Sequence, residues 1–147
     1  MVKGMKQLIP ILALLVAPVT AVQADQTDPR LDAYFEALYQ TEDIVELKTL
    51  ENQIWSAWRA TDQPAVDDFF AQGMDAMQVA DYRLAIDLFT NAIDLHPDFA
   101  EAYNMRATSH FLLGNDFESL TDVEVTIDLE PRHFGALMGG AQIAMRS

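Results

Sequence analysis

Apolar residues recur at spacings of three and four along most of the chain beyond residue 30, the pattern of helices that each bury one stripe. Leu31, Tyr34, Phe35, Leu38 and Tyr39 mark a first amphipathic helix. Ile44, Leu47, Leu50, Ile54, Trp55 and Trp58 mark a second, which should end near Ala60. The segment Thr61-Asp62-Gln63-Pro64 reads as a turn. Beyond it the chain repeats itself. Ala85-Ile86 returns as Ser119-Leu120, and Asp94-Leu95-His96-Pro97 returns as Asp128-Leu129-Glu130-Pro131, each 34 residues later. That period belongs to helix–turn–helix units that stack on copies of themselves.

Local signals agree with the period. Asp28 suits the N-cap of the first helix, with Pro29 at its first position. Thr41 can cap the second, with Glu42 and Asp43 in its first turn, where the helix dipole favours acids. Asp81 can cap a helix over Tyr82–Leu95, which Pro97 ends because it cannot supply the next helical N–H. Asp98 and Glu101 have the spacing of a capping box, and Asn115 and Glu118 repeat it. Gly114 supplies the turn between the two helices of the second unit. The pattern therefore predicts an all-α fold. Residues 25–64 form an N-terminal degenerate hairpin that opens the array, 65–99 a first unit, 100–133 a second, and 134–147 the first helix of an incomplete third. From Phe134 to Met145 only Gln142 is clearly polar, so this last helix is expected to expose apolar surface. It reads as part of a longer array, because arrays need capping units, or else as a self-association or partner surface.

Phe69, Gly73, Ala85 and Pro97 in the first unit, with Phe89 and Ala92, carry a resemblance to tetratricopeptide repeats, and so do Tyr103, Ala107, Ser119 and Pro131 in the second. The small residues sit where two helices cross closely and the aromatics fill the space beside the crossing. Gln72 and Arg106 stand where that family has leucine, and Ala76 and His110 where it has tyrosine. Asp116, Val123 and Thr126 are further departures in the second unit. The resemblance implies a short right-handed α-solenoid whose first helices line a concave, peptide-binding surface. Carried over by position, that lining is Phe70, Met74 and Met77 from the first unit and Asn104, Thr108 and Phe111 from the second. Phe70 is the preferred contact because Phe69 takes the packing position, whereas Met74 and Met77 could equally pack against the preceding hairpin. Family members that grip a C-terminal carboxylate use lysine, arginine and asparagine at set places. Phe70, Met74, Asn104, Gly135 and Gly139 stand there or next to them, so carboxylate capture is not expected. The whole arrangement is similar to small exported bacterial members of the family.

The export reading rests on residues 1–24. Lys3 and Lys6 precede an apolar run from Leu8 to Val22, and Val22 and Ala24 suit cleavage after Ala24. The run contains Pro10 and Pro18 and is shorter than the roughly 18 apolar residues that a membrane span needs. A periplasmic or secreted protein with no stable membrane insertion after cleavage is expected. The chain has no cysteine, which excludes disulfides and a lipid-modified N-terminal cysteine. Its net charge is −14, and without Lys3 and Lys6 the remaining seven basic and 23 acidic residues give −16. Such a surface disfavours nucleic acid and anionic lipid, and it steers basic partners inward or simply aids solubility.

Catalytic and metal chemistry find little support. His96, His110 and His133 have no ligand spacing. His96 is expected to be solvated in its turn and His110 half-buried, while Arg132-His133 makes the one local basic cluster. The acids show no calcium-loop spacing, and Gly139-Gly140 lacks the lysine of a phosphate loop. No cofactor and no enzymatic activity are expected. The partner is a protein or peptide segment.

Overall fold

The computed structural model describes residues 25–146, so the leader expected over residues 1–24 and its cleavage site lie outside the described residues. Within them the chain forms seven helices and no strand: α1 Arg30–Gln40, α2 Ile44–Arg59, α3 Pro64–Gln78, α4 Tyr82–Leu95, α5 Ala100–Leu113, α6 Asp116–Leu129 and α7 Phe134–Arg146. The span expected for α4 is the one found.

Consecutive helices from α3 to α7 pack as antiparallel neighbours, most extensively within the pairs α3–α4 and α5–α6. The small residues do what their positions imply. A Cβ added at Gly73 would come within 2.5 Å of Phe89 Cε1, so only glycine lets α3 and α4 approach around that ring. Ala85 and Ala92 are fully buried beside Phe89. The second unit makes the same crossings with polar residues that bond inward. Ser119 Oγ donates across to Ala107 O at 2.8 Å, while Thr126 Oγ1 bonds Asp122 O of its own helix at 2.8 Å and lies 3.5 Å from Ala100 O on α5. Arg106, a departure from the expected leucine, reaches Asp122 with two bonds of 2.8 and 2.7 Å and Thr90 Oγ1 with a third of 3.1 Å. Those bonds to Asp122 hold the guanidinium in its charged form, above its ordinary pKa.

The turns also repeat. Ala80 N donates to Met77 O and Asp81 N to Ala76 O; one period later Gly114 N donates to Phe111 O and Asn115 N to His110 O. Several cap expectations need correction. The N-cap of α2 is Asp43, not Thr41; Asp43 Oδ1 accepts from Val45 N and Glu46 N. Phe99, not Asp98, is the N-cap of α5, and its Glu101 turns inward instead of closing a capping box. Gln26 substitutes in part for the missing cap. Its Oε1 accepts from Ala100 N at 3.3 Å while its Nε2 donates to Asp98 O. Asn115 makes no side-chain cap on α6. The N-cap of α1 is Pro29, not Asp28, although Asp28 Oδ1 still accepts from Arg30 N at 2.9 Å.

The N-terminal hairpin departs most from expectation. It does not lie along α3 as the opening hairpin of a regular stack. Instead α2 packs on α5, and the hairpin's own apolar cluster of Leu31, Ile54, Ala57 and Trp58 is completed by Phe134 at the start of α7. The hairpin thus lies across the units that follow it. At the other end, α7 packs on α6 and α5 through Ala136 and Ile143 and leaves Leu137, Met138 and Met145 exposed.

Candidate functional site

The period places Asp67 on α3, Glu101 on α5 and Gly135 on α7 in one register, each 34 residues from the next. The end of α2 and the turn after it touch all three. Thr61 donates through its N–H and its hydroxyl to Asp67 Oδ1, at 2.9 and 2.8 Å. Arg59 Nε donates to Glu101 Oε1 at 3.2 Å. Trp55 lies against Gly135, where an added Cβ would come within 2.8 Å of Trp55 Cη2. Seven residues of chain therefore cross three first helices in the order α7, α5, α3.

Glu101 is the centre of this contact and is fully buried. A buried carboxylate is costly unless every lone pair is engaged and a cation is near. Here Oε2 accepts from Asn104 Nδ2 at 2.9 Å and from His133 Nε2 at 3.0 Å, while Oε1 faces Arg59. His133 Nδ1 accepts the Ala136 N–H at 3.2 Å, which assigns the ring proton to Nε2 and makes His133 a neutral donor to Glu101. The imidazole stacks on Trp58 with ring centroids 4.2 Å apart and an interplanar angle of 13°. Trp55 meets His133 and Phe134 edge-on. Arg132 closes the rim: it bonds Glu130 and reaches Asp32 on α1 at 2.8 Å, with its guanidinium over the Phe35 ring. The bonds to Glu130 raise the Arg132 pKa further, against the effect of burial.

The residues assigned to the lining by resemblance divide into groups. Phe70 is not on the surface. It is 5% exposed and packs between Phe89 and Phe99, while Phe69 lies half-buried beside that core. The aromatic pair is thus used in the opposite sense from the expected one, because Phe70 faces the inter-unit core that Phe99 opens. Met74 and Met77 are half-buried and pack on that same core, not on the N-terminal hairpin. Asn104 is buried and committed to Glu101. Thr108 and Phe111 are half-buried, with Thr108 Oγ1 donating to Asn104 O at 3.0 Å. Asn104, Thr108 and Phe111 do come together, in a cleft between α5, α6 and α7 that Val123, Gly139 and Gln142 complete. Arg146 lies over the Phe111 ring, 3.8 Å from its centroid, and donates to Phe111 O.

His96 is also corrected: it is buried, not solvated. Its Nδ1 lies 2.5 Å from Gln63 Nε2 and its Nε2 3.4 Å from Asp25 Oδ2. His110 is half-buried, as expected. The residues that sequence reasoning missed are Trp55, Arg59, Glu101 and Gly135. The signal that could have found them was the shared register of Asp67, Glu101 and Gly135, once a charged and a missing side chain stood where a groove floor is expected.

Chemically, the Glu101–His133 pair is closed to solvent on both sides and holds structure; it offers no reacting atom to a substrate. Among the described residues no group of His, Cys, Asp or Glu is arranged to hold a metal ion, and no helix is long and apolar enough to cross a membrane.

No family model matches the chain. Among curated proteins it is 35% identical over 118 residues to a TPR repeat-containing protein of Rhizobium etli, covering 80% of this chain and 58% of that relative. It is 28% identical over 106 residues to the tetratricopeptide repeat protein 36 homolog of Nematostella vectensis, covering 72% of this chain and 59% of the relative. It is 37% identical over 68 residues to the small glutamine-rich tetratricopeptide repeat-containing protein 2 of Saccharomyces cerevisiae, covering 46% of this chain and 20% of the relative. The chain spans little more than half the length of the first of these relatives.

Proposed function

Since this chain is a tetratricopeptide repeat protein by sequence and by fold, we propose that it is an exported, non-enzymatic interaction module that holds a peptide or protein segment on the concave face formed by its first helices. Its setting is the cell envelope, in assembly or secretion, as a periplasmic or secreted protein released by cleavage after Ala24. The observation that supports the binding face is the cleft between α5, α6 and α7, where Asn104, Thr108 and Phe111 converge with Gln142. Thr108 and Gln142 offer hydrogen-bonding groups and Phe111 an apolar wall, the mixture that orients a peptide backbone while burying a side chain. The acidic surface favours a basic segment.

The test uses the full chain in its native cells with a photoreactive side chain at position 108, 111 or 142, and at Leu84 and Leu120 on α4 and α6 as controls. A discrete adduct from the cleft positions alone supports the reading. Equal or absent crosslinking at the cleft positions rejects it. Mass measurement of the recovered protein reads the export claim separately, since the species should begin at Asp25.

A second reading, a structural subunit that self-associates through residues 134–147, is favoured by exposed Leu137, Met138 and Met145 on α7. Light scattering separates it: concentration-dependent growth in mass that Met138→Glu abolishes would favour assembly over partner capture.

A further inference from the structure

We propose that the α1–α2 hairpin is an intramolecular ligand of the first-helix face, and that an incoming segment bearing an aromatic and an arginine side chain displaces it. The inference rests on that face being the binding face. Three observations carry it. First, residues 55–61 run across α7, α5 and α3 as a bound peptide would, with one named contact to each: Trp55 on Gly135, Arg59 to Glu101 and Thr61 to Asp67. Second, the floor demands a particular occupant. Glu101 is fully buried, and Arg59 is the charged partner at hydrogen-bonding distance, so whatever replaces α2 must bring a cation to the same place. Third, the hairpin is built to leave. Its apolar cluster is distinct from the core of the repeats and meets them at the start of α7 and the turn before it, through Phe134, the His133 ring stacked on Trp58, and Arg132 over Phe35. Tyr39, Ile44 and Val45 are exposed along it, and Trp58 Nε1 is buried without a protein acceptor. A unit with its own core opens as a unit, its ties to the neighbour breaking together.

Occupancy by the hairpin and by a partner are then alternatives. The affinity that a partner shows is reduced by the fraction of molecules in which the hairpin is docked. The Glu101 site selects for arginine, whose guanidinium keeps its charge and can also lie over an aromatic face, as Arg59 does over Trp55 at 4.8 Å.

The test uses a labelled synthetic peptide of residues 44–63 and the full chain. With Trp55→Ala and Arg59→Gln in the chain, the peptide should bind about tenfold or more tighter than it binds the unaltered chain. The same peptide carrying Arg59→Glu should bind neither. Equal binding to both chains, or none to the altered chain while amide protection of α3–α6 is intact, overturns the inference. Should the double variant lose protection in α3–α6, Gly135→Leu takes its place. It leaves the hairpin sequence intact and pushes on Trp55 from the groove side. Faster amide exchange confined to α1 and α2 is expected, and unchanged exchange there overturns the inference. Crosslinking at position 108 with exchange in the hairpin unaffected by Gly135→Leu would sink this inference alone, leaving the binding face in place.

Discussion

Ala80 and Gly114 stand one period apart and hold the same left-handed backbone, with φ of 60° and 82°. Both end the first helix of a unit, and both make the same pair of backbone bonds. Glycine adopts this conformation freely, whereas a Cβ makes it unfavourable by roughly 1–2 kcal/mol. Ala80→Gly should therefore stabilise the protein by about 0.5–1 kcal/mol after the added freedom of the unfolded chain is counted. Urea unfolding followed by circular dichroism reads the gain. Gly114→Ala should shift the midpoint the other way.

The Arg106–Asp122 pair stands where the first unit has Gln72 and Leu88 in the same register. Removing one member leaves the other desolvated. Arg106→Leu alone should destabilise by about 3 kcal/mol, and Arg106→Leu with Asp122→Leu should return most of that loss. A double-mutant cycle in urea measures the coupling. Additive single losses would contradict the assignment.

At Gly73 two opposing magnitudes decide the sign. Alanine gains about 1 kcal/mol of helix propensity over glycine. Its Cβ would also meet the Phe89 ring at 2.5 Å, in a core where Phe89 cannot yield. Overpacking of that kind costs about 1–3 kcal/mol, so Gly73→Ala should be net destabilising. Thermal melts of Gly73→Ala with and without Phe89→Leu check this: the smaller side chain should turn the alanine from harmful to nearly neutral.

Acid should weaken the N-terminal end of the hairpin. Hydrogen bonds from the Arg30 guanidinium hold the Asp28 carboxyl below its ordinary value of 3.8. A depressed carboxylate contributes stability that is present above its unfolded value and is lost as pH falls through the folded one. Asp28→Asn should leave the melting temperature at low pH little changed and lower it toward neutrality. Melts across the acid limb would show the two curves converging at the bottom and separating above.

Much of this fold was legible because its signals are local and repeated. The period fixed α3 to α6, and Gly73, Ala85 and Pro97 carry their usual meaning in steric terms. What failed was any judgement that depended on a neighbour far along the chain. Glu101 has the spacing of a cap, yet the Arg59 guanidinium and the His133 imidazole draw it inward. Phe69 and Phe70 are adjacent, and only the position of Phe99 in the next unit decides which of them enters the core. The hairpin carries helical stripes like the others, and stripes do not say which surface they meet. Of the six lining residues, Thr108 and Phe111 lie half-buried beside Asn104 in one cleft, because they share a helix face that the period alone defines.

Gln26 fastens the beginning of the described chain to the junction between the two full units, at Asp98 and Ala100. A fluorescent label placed at residue 26 would consequently report on the joint between the two repeats, although its neighbours in sequence belong to the hairpin.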